Sequence, residues 1–437
     1  MRRLMLETAA IVVAIAYSGC VSSHGTGLGG DAGFAPPTVM QVPTLDGGTE
    51  PVWIYVAKPA TPGPYPVVIY GHGQGTGNIV NCTPDRAPDD GDVQTGKRIA
   101  NDLAARGYLA ISIFYRNRGE GIPAIGELRA RDHYILDARA FLAAAHLAHD
   151  LGGDSRVALI GVSMGSFPAT WATAPLPEVA DLQQGLDIVT TIPIAMLGNH
   201  IGNTGRSQGT LTTSDIGVRR TAIGMAALAA VGARGAIVLD DSLTAGDLDA
   251  TTAVTPAGAD LVRLLFIDAP DPTLQGCAAN LPAACSADCF SSTFNAVATA
   301  RGRTGATATD WLTSDTIEAI QYWRPPAQID PGAATSNTML AAQRALSPAY
   351  ALTGPLRTKR LLPLTSLGDH VVTDQLAGSN APAELYLARL TSTSVTIPDP
   401  VPVVQDKTCD HDNYLDPARP QCGWSITLEE LSTAFAH

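Results

Sequence analysis

The chain has 437 residues, 45% of them apolar and 16% charged, and its 28 Lys and Arg against 41 Asp and Glu leave a formal net charge of −13. Such a length holds one large domain or two, and such a composition suits a packed globular protein. The acidic balance argues against a nucleic-acid partner, which needs a basic face, and says little about an uncharged substrate. In chain order, the first predicted element is an export signal. Arg2-Arg3 supply a positive start, Ala9 to Tyr17 a short apolar run and Ser18-Gly19-Cys20 a small-residue cleavage region, so residues 1–19 read as a signal peptide. The apolar run is too short for a typical transmembrane helix. Residues 20–34 read as a flexible tether, Gly- and Ser-rich from Ser22 to Gly33.

Two strand-like runs follow, Val39 to Val42 and Val52 to Val56, joined by an Asp46-Gly47-Gly48 turn. Pro66 to Tyr70 is short, apolar and β-branched, the pattern of a buried strand, and it ends in Gly71-His72-Gly73-Gln74-Gly75. A glycine-rich loop after such a strand can aim backbone N–H groups at a developing oxyanion. Gly107 to Phe114 is again strand-like and runs into Arg116 to Gly121. Glu127 to Leu151 is rich in Ala, Leu and Arg, with Leu128, Ile135, Ala138 and Leu142 near one helical face and Gly152-Gly153 as a stop. Arg156 to Ile160 reads as a further buried strand. Alternating strands and helices predict a mostly parallel central sheet with helices on both faces, an α/β class.

After that last strand comes Gly161-Val162-Ser163-Met164-Gly165, and an alanine-rich segment follows it. Strand, turn and helix form the context in which G-x-S-x-G marks a nucleophile elbow. A serine on so sharp a turn brings neighbouring main chain close, so the positions two before and two after it must be small, and glycine has no Cβ to clash. With Tyr70-Gly71-His72-Gly73, Gly107 to Gly121 and Gly161 to Gly165 in this order, the chain resembles the α/β-hydrolase superfamily. The resemblance covers residues 35–195 well and 355–415 more loosely.

The resemblance implies the α/β-hydrolase fold, with residues 35–197 and 356–437 as the catalytic domain. It also implies a chain order of Ser, then Asp or Glu, then His. His24, His72, His133, His146 and His149 precede Ser163 and fail on order. Arg360 to Leu367 is apolar and leads into Gly368-Asp369-His370-Val371-Val372, which is similar to the family's acid turn and assigns the acid to Asp369. His370 adjoins that acid and His437 ends the chain, which leaves His411, beyond the strand-like run Ser394 to Ile397. Ser163 would attack an acyl carbon, His411 would take and return the proton, and Asp369 would orient the imidazole. The N–H groups of Met164 and Gln74 would bind the oxyanion. This chemistry calls for no cofactor and no metal. Two features depart from the family: Thr365-Ser366 stands where His-Gly is usual, and His411 follows Cys409-Asp410 rather than a Gly.

Cys20 at the end of the signal is similar to a bacterial lipobox, with Tyr17 where Leu is usual. A lipidated Cys20 would anchor the chain at the cell envelope, on the outer membrane or cell surface; plain secretion is the other address. The remaining cysteines, Cys82, Cys277, Cys285, Cys289, Cys409 and Cys422, are even in number, as a disulfide-bonded exported protein requires. Cys409 and Cys422 are the natural pair, and the C-x2-C pairs of a zinc site are absent. After a strand from Ile188 to Ala195, residues 198–355 form an insertion, with helix-like patterns at Leu211 to Asp240 and Asp260 to Ile267. The family resemblance implies a large, mainly helical cap, and a surface elaboration is the alternative. Trp311, Tyr322 and Trp323 either line a pocket or fill the insertion's own core. The acidic runs Asp85, Asp89, Asp90, Asp92 and Asp406, Asp410, Asp412, Asp416 lack EF-hand spacing and read as solvated loops.

The leading expectation is a carboxylic ester hydrolase, acting on a small-molecule or lipid ester. A serine peptidase similar to the prolyl oligopeptidase group is one alternative, but the short stretch between the tether and the first strands, Val39 to Val42 and Val52 to Val56, leaves no room for that group's propeller. A cell-surface binding protein on a hydrolase scaffold is the other. Acyl length, oligomeric state and the remaining disulfide connectivity stay open.

Overall fold

The computed structural model describes residues 38–73, 91–115, 131–195, 227, 253–266, 287–321, 356–367, 395–398, 402–409 and 414–436. Strands β1 (Thr38–Pro43) and β2 (Thr49–Ala57) form the expected antiparallel hairpin. Gly47 takes φ +86° at its turn, a conformation open to glycine, and the Gly48 N–H donates to the Asp46 carboxylate at 3.2 Å.

β2 runs antiparallel to β4 (Leu109–Ile113), and β4 runs parallel to β3 (Tyr65–Gly71). β3, β5 (Gly153–Val162), β6 (Asp187–Ile194) and β7 (Arg360–Leu361) follow in parallel, giving the order β1-β2-β4-β3-β5-β6-β7. Side chains alternate between the two faces of a strand. Val67, Ile69, Val157 and Leu159 pack on one side of the sheet beneath α2 (Arg131–Asp150) and α3 (Ser166–Trp171). Val68, Tyr70, Ala158 and Ile160 pack on the other with α1 (Gly91–Ala104) and the C-terminal helix. Both faces are covered, which is why these strands read as continuous apolar runs rather than alternating ones. α2 stops where expected, with Gly152 at φ +100°. The short α4 (Pro177–Ala180) lies between α3 and β6.

The apolar run from Arg360 to Leu367 is not one strand. Pro363 lacks an N–H and interrupts it, yet the chain stays beside β6, with Leu362 N–H on Thr191 O at 2.9 Å and Leu364 N–H on Pro193 O at 3.0 Å. It then forms β8 (Thr365–Ser366), which pairs in parallel with β9 (Val403–Val404). On the far side of Arg360, Thr396 makes a parallel bridge, so among the described residues 395–398 the expected strand is a single rung.

Within the insertion the described helices are α5 (Pro256–Phe266), α6 (Ala287–Ala300), α7 (Ala308–Trp311) and α8 (Ser314–Gln321). Trp311 is fully buried there, edge-on to Phe294 at 4.9 Å, with its indole N–H on Gly305 O at 3.2 Å. Of its two readings, it fills the insertion's own core. A capping box of Thr307 and Asp310 starts α7, and Asp260 on α5 pairs with Arg301 at 2.6 Å. Apart from Ala227, the helix-like stretch Leu211 to Asp240 lies outside the described residues, as do Tyr322 and Trp323.

The C-terminal helix α9 (Trp424–Ala436) has no counterpart in the elements read from sequence. It buries Trp424, Thr427, Glu430, Leu431 and Ala434, spaced three and four apart along one stripe. Glu430 accepts two hydrogen bonds from Arg360, each 2.8 Å, and one from the Thr190 hydroxyl at 2.8 Å, fixing the helix to β6 and β7. No described helix is long and apolar enough to cross a membrane.

Candidate active site

β5 ends at Val162, and Ser163 takes φ +53°, the left-handed region that a residue with a Cβ rarely occupies. Strain of this kind costs on the order of 1–3 kcal/mol and persists only where the surroundings enforce it. A 3-10 turn, Ser163–Gly165, then leads directly into α3. The Ser166 hydroxyl donates to Ser163 O at 2.6 Å, and the Ser166 N–H also reaches that carbonyl. A Cβ at Gly161 would collide with the Gly165 carbonyl, and one at Gly165 would lie 2.5 Å from the carbonyl oxygens of Gly71 and His72. The two glycines expected from spacing are therefore required by contact between the two halves of the elbow and the end of β3.

Tyr115 (φ +59°) and Ala195 (φ +49°) share this left-handed conformation. They follow the ends of β4 and β6, on the edge of the sheet where β5 delivers Ser163. Ligands of open parallel sheets bind outside this carboxyl edge.

The loop after β3 abuts the elbow. A Cβ at Gly73 would sit 3.3 Å from Ser163 Cβ and 3.8 Å from its Oγ, so the Gly73 backbone lies against the serine. His72 Nδ1–H donates to Gly73 O at 2.6 Å, which fixes the ring's tautomer. Its ring lies 4.6 Å from that of Tyr115, and the Tyr115 hydroxyl donates to His72 O at 2.9 Å. Tyr115 is fully buried, and sequence reasoning missed it because nothing in Phe114-Tyr115 distinguishes a packing ring from one that braces a loop. Ser163 is 7% exposed, Met164 is buried beside it, and Gln74 lies outside the described residues.

Asp369 and His411 also lie outside the described residues, but the chain leading to each is described. Leu367 N–H donates to Val404 O at 3.0 Å, and the Ser366 hydroxyl donates to Cys409 O at 2.6 Å. Cys409 and Cys422 form the expected disulfide, with Cα atoms 5.0 Å apart. Cys289 falls within α6, while Cys20, Cys82, Cys277 and Cys285 lie outside the described residues.

The acidic residues that are described in the second run serve their own turns. Asp406 accepts from Thr408 N–H at 2.9 Å and its hydroxyl at 2.8 Å, bonds that hold its carboxyl below the ordinary value. Asp416 accepts from Ala418 N–H at 3.0 Å and faces Arg98 at 3.4 Å. Among the described residues no group of three His, Cys, Asp or Glu is placed to hold a metal. His146, one of the histidines excluded by order, donates from Nε2 to Leu182 O at 2.8 Å and is a packing residue.

No family model and no curated protein matches the sequence. Solved structures do match. A tryptophan-substituted mutant of the rice cell wall degrading esterase LipA from Xanthomonas oryzae has a TM-score of 0.51 and 12% identity, over 91% of this chain and 90% of that one. A phenylalanine-substituted mutant of the same esterase has a TM-score of 0.51 and 13% identity, over 91% and 90% of the two chains. At such identity the likeness is one of fold.

Proposed function

We propose that this chain, which has the α/β-hydrolase fold, hydrolyses carboxylic esters through an acyl-enzyme on Ser163. The observation that carries the reading is the left-handed Ser163 between two glycines that admit no side chain, pressed against the Gly73 backbone at the carboxyl edge of the sheet. A fold hosts many chemistries, so the argument rests on this site; the esterase named among the fold-mates agrees with it.

The steps follow from the roles of the residues. Ser163 Oγ attacks the ester carbon while His411 takes its proton. The tetrahedral oxyanion is bound by the N–H groups of Met164 and Gln74, each such donor contributing about 2.7–4 kcal/mol of barrier lowering. The C–O bond breaks, and His411 returns the proton to the departing alcohol. Water then attacks the acyl-enzyme by the reverse sequence and frees the acid. Asp369 orients His411 and stabilises the imidazolium. Residues 198–355 act as a cap that shapes the acyl pocket and excludes water. The substrate is a small-molecule or lipid ester, met outside the cytoplasm by a chain exported on residues 1–19 and anchored through lipidated Cys20.

The test is hydrolysis of p-nitrophenyl esters from acetate to palmitate by the mature, oxidised chain and by Ser163→Ala. Serine-dependent turnover is expected, with kcat falling by about 10⁴-fold or more in the variant. The preferred chain length reports the depth of the pocket. Equal turnover by parent and variant overturns the reading.

A further inference from the structure

The departure at Thr365-Ser366 puts a hydroxyl where a glycine is usual in the resembled family, and that hydroxyl has a use. Ser366 is 1% exposed, and its Oγ donates at 2.6 Å to the carbonyl of Cys409. Two residues, Leu367 and Gly368, separate Ser366 from Asp369; one, Asp410, separates Cys409 from His411. The bond therefore joins the chain entering the acid turn to the chain entering the histidine loop.

The contacts around it close into a ring. Arg360, six residues before Ser366, holds Glu430 on α9 through two bonds of 2.8 Å. The N-terminal end of α9 follows a 3-10 turn, Pro420–Cys422, and Cys422 is bonded through sulfur to Cys409. Cys409 carries the carbonyl that Ser366 grips. Around the circuit, sheet, helix, cystine and hydroxyl each hold the next. The pairing of β8 with β9 and the Leu367–Val404 bond lie inside the ring and set its register. A histidine loop tethered at one point could still swing about that point. The cystine and the buried hydrogen bond instead hold Cys409 at two points, one of them on the strand that leads to the acid.

We infer that Ser366 and the Cys409–Cys422 cystine together are a positioning device, which holds His411 in register with Asp369. The inference rests on the ester-hydrolase reading above. Ser366 acts through the two loops and touches no substrate. Removing its hydroxyl is expected to leave the fold intact and to free the Cys409 carbonyl, two positions before His411, from the strand that leads to Asp369. A misplacement of about 1 Å at a reacting group costs about 100-fold in rate.

The experiment compares Ser366→Ala with the parent chain and with Ser163→Ala on the best p-nitrophenyl ester, across pH. Expected for Ser366→Ala is a kcat about 10- to 100-fold lower, with KM changed by no more than about twofold, since ground-state binding is untouched. The acidic limb of kcat/KM reports the catalytic imidazole. It is expected to move to lower pH, because a carboxylate held less well stabilises the imidazolium less. A residue that only packs would lower the melting temperature and leave that limb in place. The Cys409→Ala, Cys422→Ala double variant is expected to show the same fall and the same direction of shift. Parental kcat and pH profile in Ser366→Ala, with Ser163-dependent turnover in the parent, overturns the positioning role alone. Absence of Ser163-dependent turnover in the parent overturns the ester reading and this inference with it.

Discussion

At the scale of single residues, the site is held by backbone that few side chains tolerate. Ser163 and Tyr115 both adopt positive φ, and both contact the His72-Gly73 turn. Tyr115 has two handles on that turn, its ring against the His72 imidazole and its hydroxyl on the His72 carbonyl. Tyr115→Phe keeps the ring and removes the hydroxyl. Leaving a buried carbonyl without this donor costs about 1–3 kcal/mol, read as a lower denaturation midpoint. Since the turn lies against Ser163, kcat is also expected to fall by about tenfold if the loop carries the proposed oxyanion donor. A variant with a lower midpoint and parental kcat would make Tyr115 a packing residue only. The elbow was legible in the sequence because its glycines are required locally and leave a fixed spacing. Tyr115 was not, because its partner is 43 positions away.

At the scale of elements, α9 shows how a polar residue fixes an apolar helix. Burial of one stripe sets which face meets the sheet, but an apolar contact alone permits sliding. Glu430 removes that freedom by meeting Arg360 on β7 and Thr190 on β6 at once. The bonds to Glu430 hold the Arg360 guanidinium above its ordinary value, against the opposing effect of burial. Breaking a buried pair from one side costs about 3–5 kcal/mol. The Arg360 side chain keeps 26% of its exposure, and that solvent softens the cost to about 2 kcal/mol in Glu430→Gln. Urea denaturation is expected to report that loss, with α9 as the first segment to gain amide exchange. Equal protection of α9 in parent and variant would mean the apolar stripe suffices. The helix went unread in the sequence because Trp424 to Ala436 mixes Thr, Glu and Ser with its apolar residues, and the partners of Glu430 lie 70 and 240 positions earlier.

At the scale of the molecule, acid stability follows from a few carboxylates. The Arg139 fork grips Asp181 with bonds of 2.8 and 2.9 Å, the main reason its carboxyl sits below the ordinary value. Burial pushes Asp310 up, but bonds from the Thr307 N–H and the Thr304 and Thr307 hydroxyls outweigh it and hold it low. A carboxyl with a lower value folded than unfolded stabilises the protein above its unfolded value, and the gain is lost as pH falls through the folded one. Asp102 runs the other way, raised mainly by burial, and favours the fold on its protonated side. The parent is therefore expected to lose stability as pH falls from about 5 to about 2. Asp181→Asn, Asp310→Asn should start from a lower plateau and lose less over that interval. Parallel pH curves for the two chains would assign the acid transition to other groups.

The amino-acid sequence by itself determined the features whose cause is local. These are the elbow's glycine spacing, the Asp46-Gly47-Gly48 hairpin, the stop at Gly152 and the buried strands, whose apolar runs imply covered faces. It also suggested Cys409 and Cys422 as a pair, 13 positions apart near the end of the sequence. Only the tertiary structure decided what depends on partners distant along the chain. It split the Arg360 to Leu367 run at Pro363 while keeping it beside β6, put Trp311 in the insertion's own core, docked α9 through Glu430, and set Tyr115 behind the loop after β3. It also turned the unexpected Ser366 into a bond to Cys409, 43 residues later. A pattern of residues records periodicity and steric need within a few positions, whereas a hydrogen bond across such a distance exists only once the chain has folded to bring its two ends together.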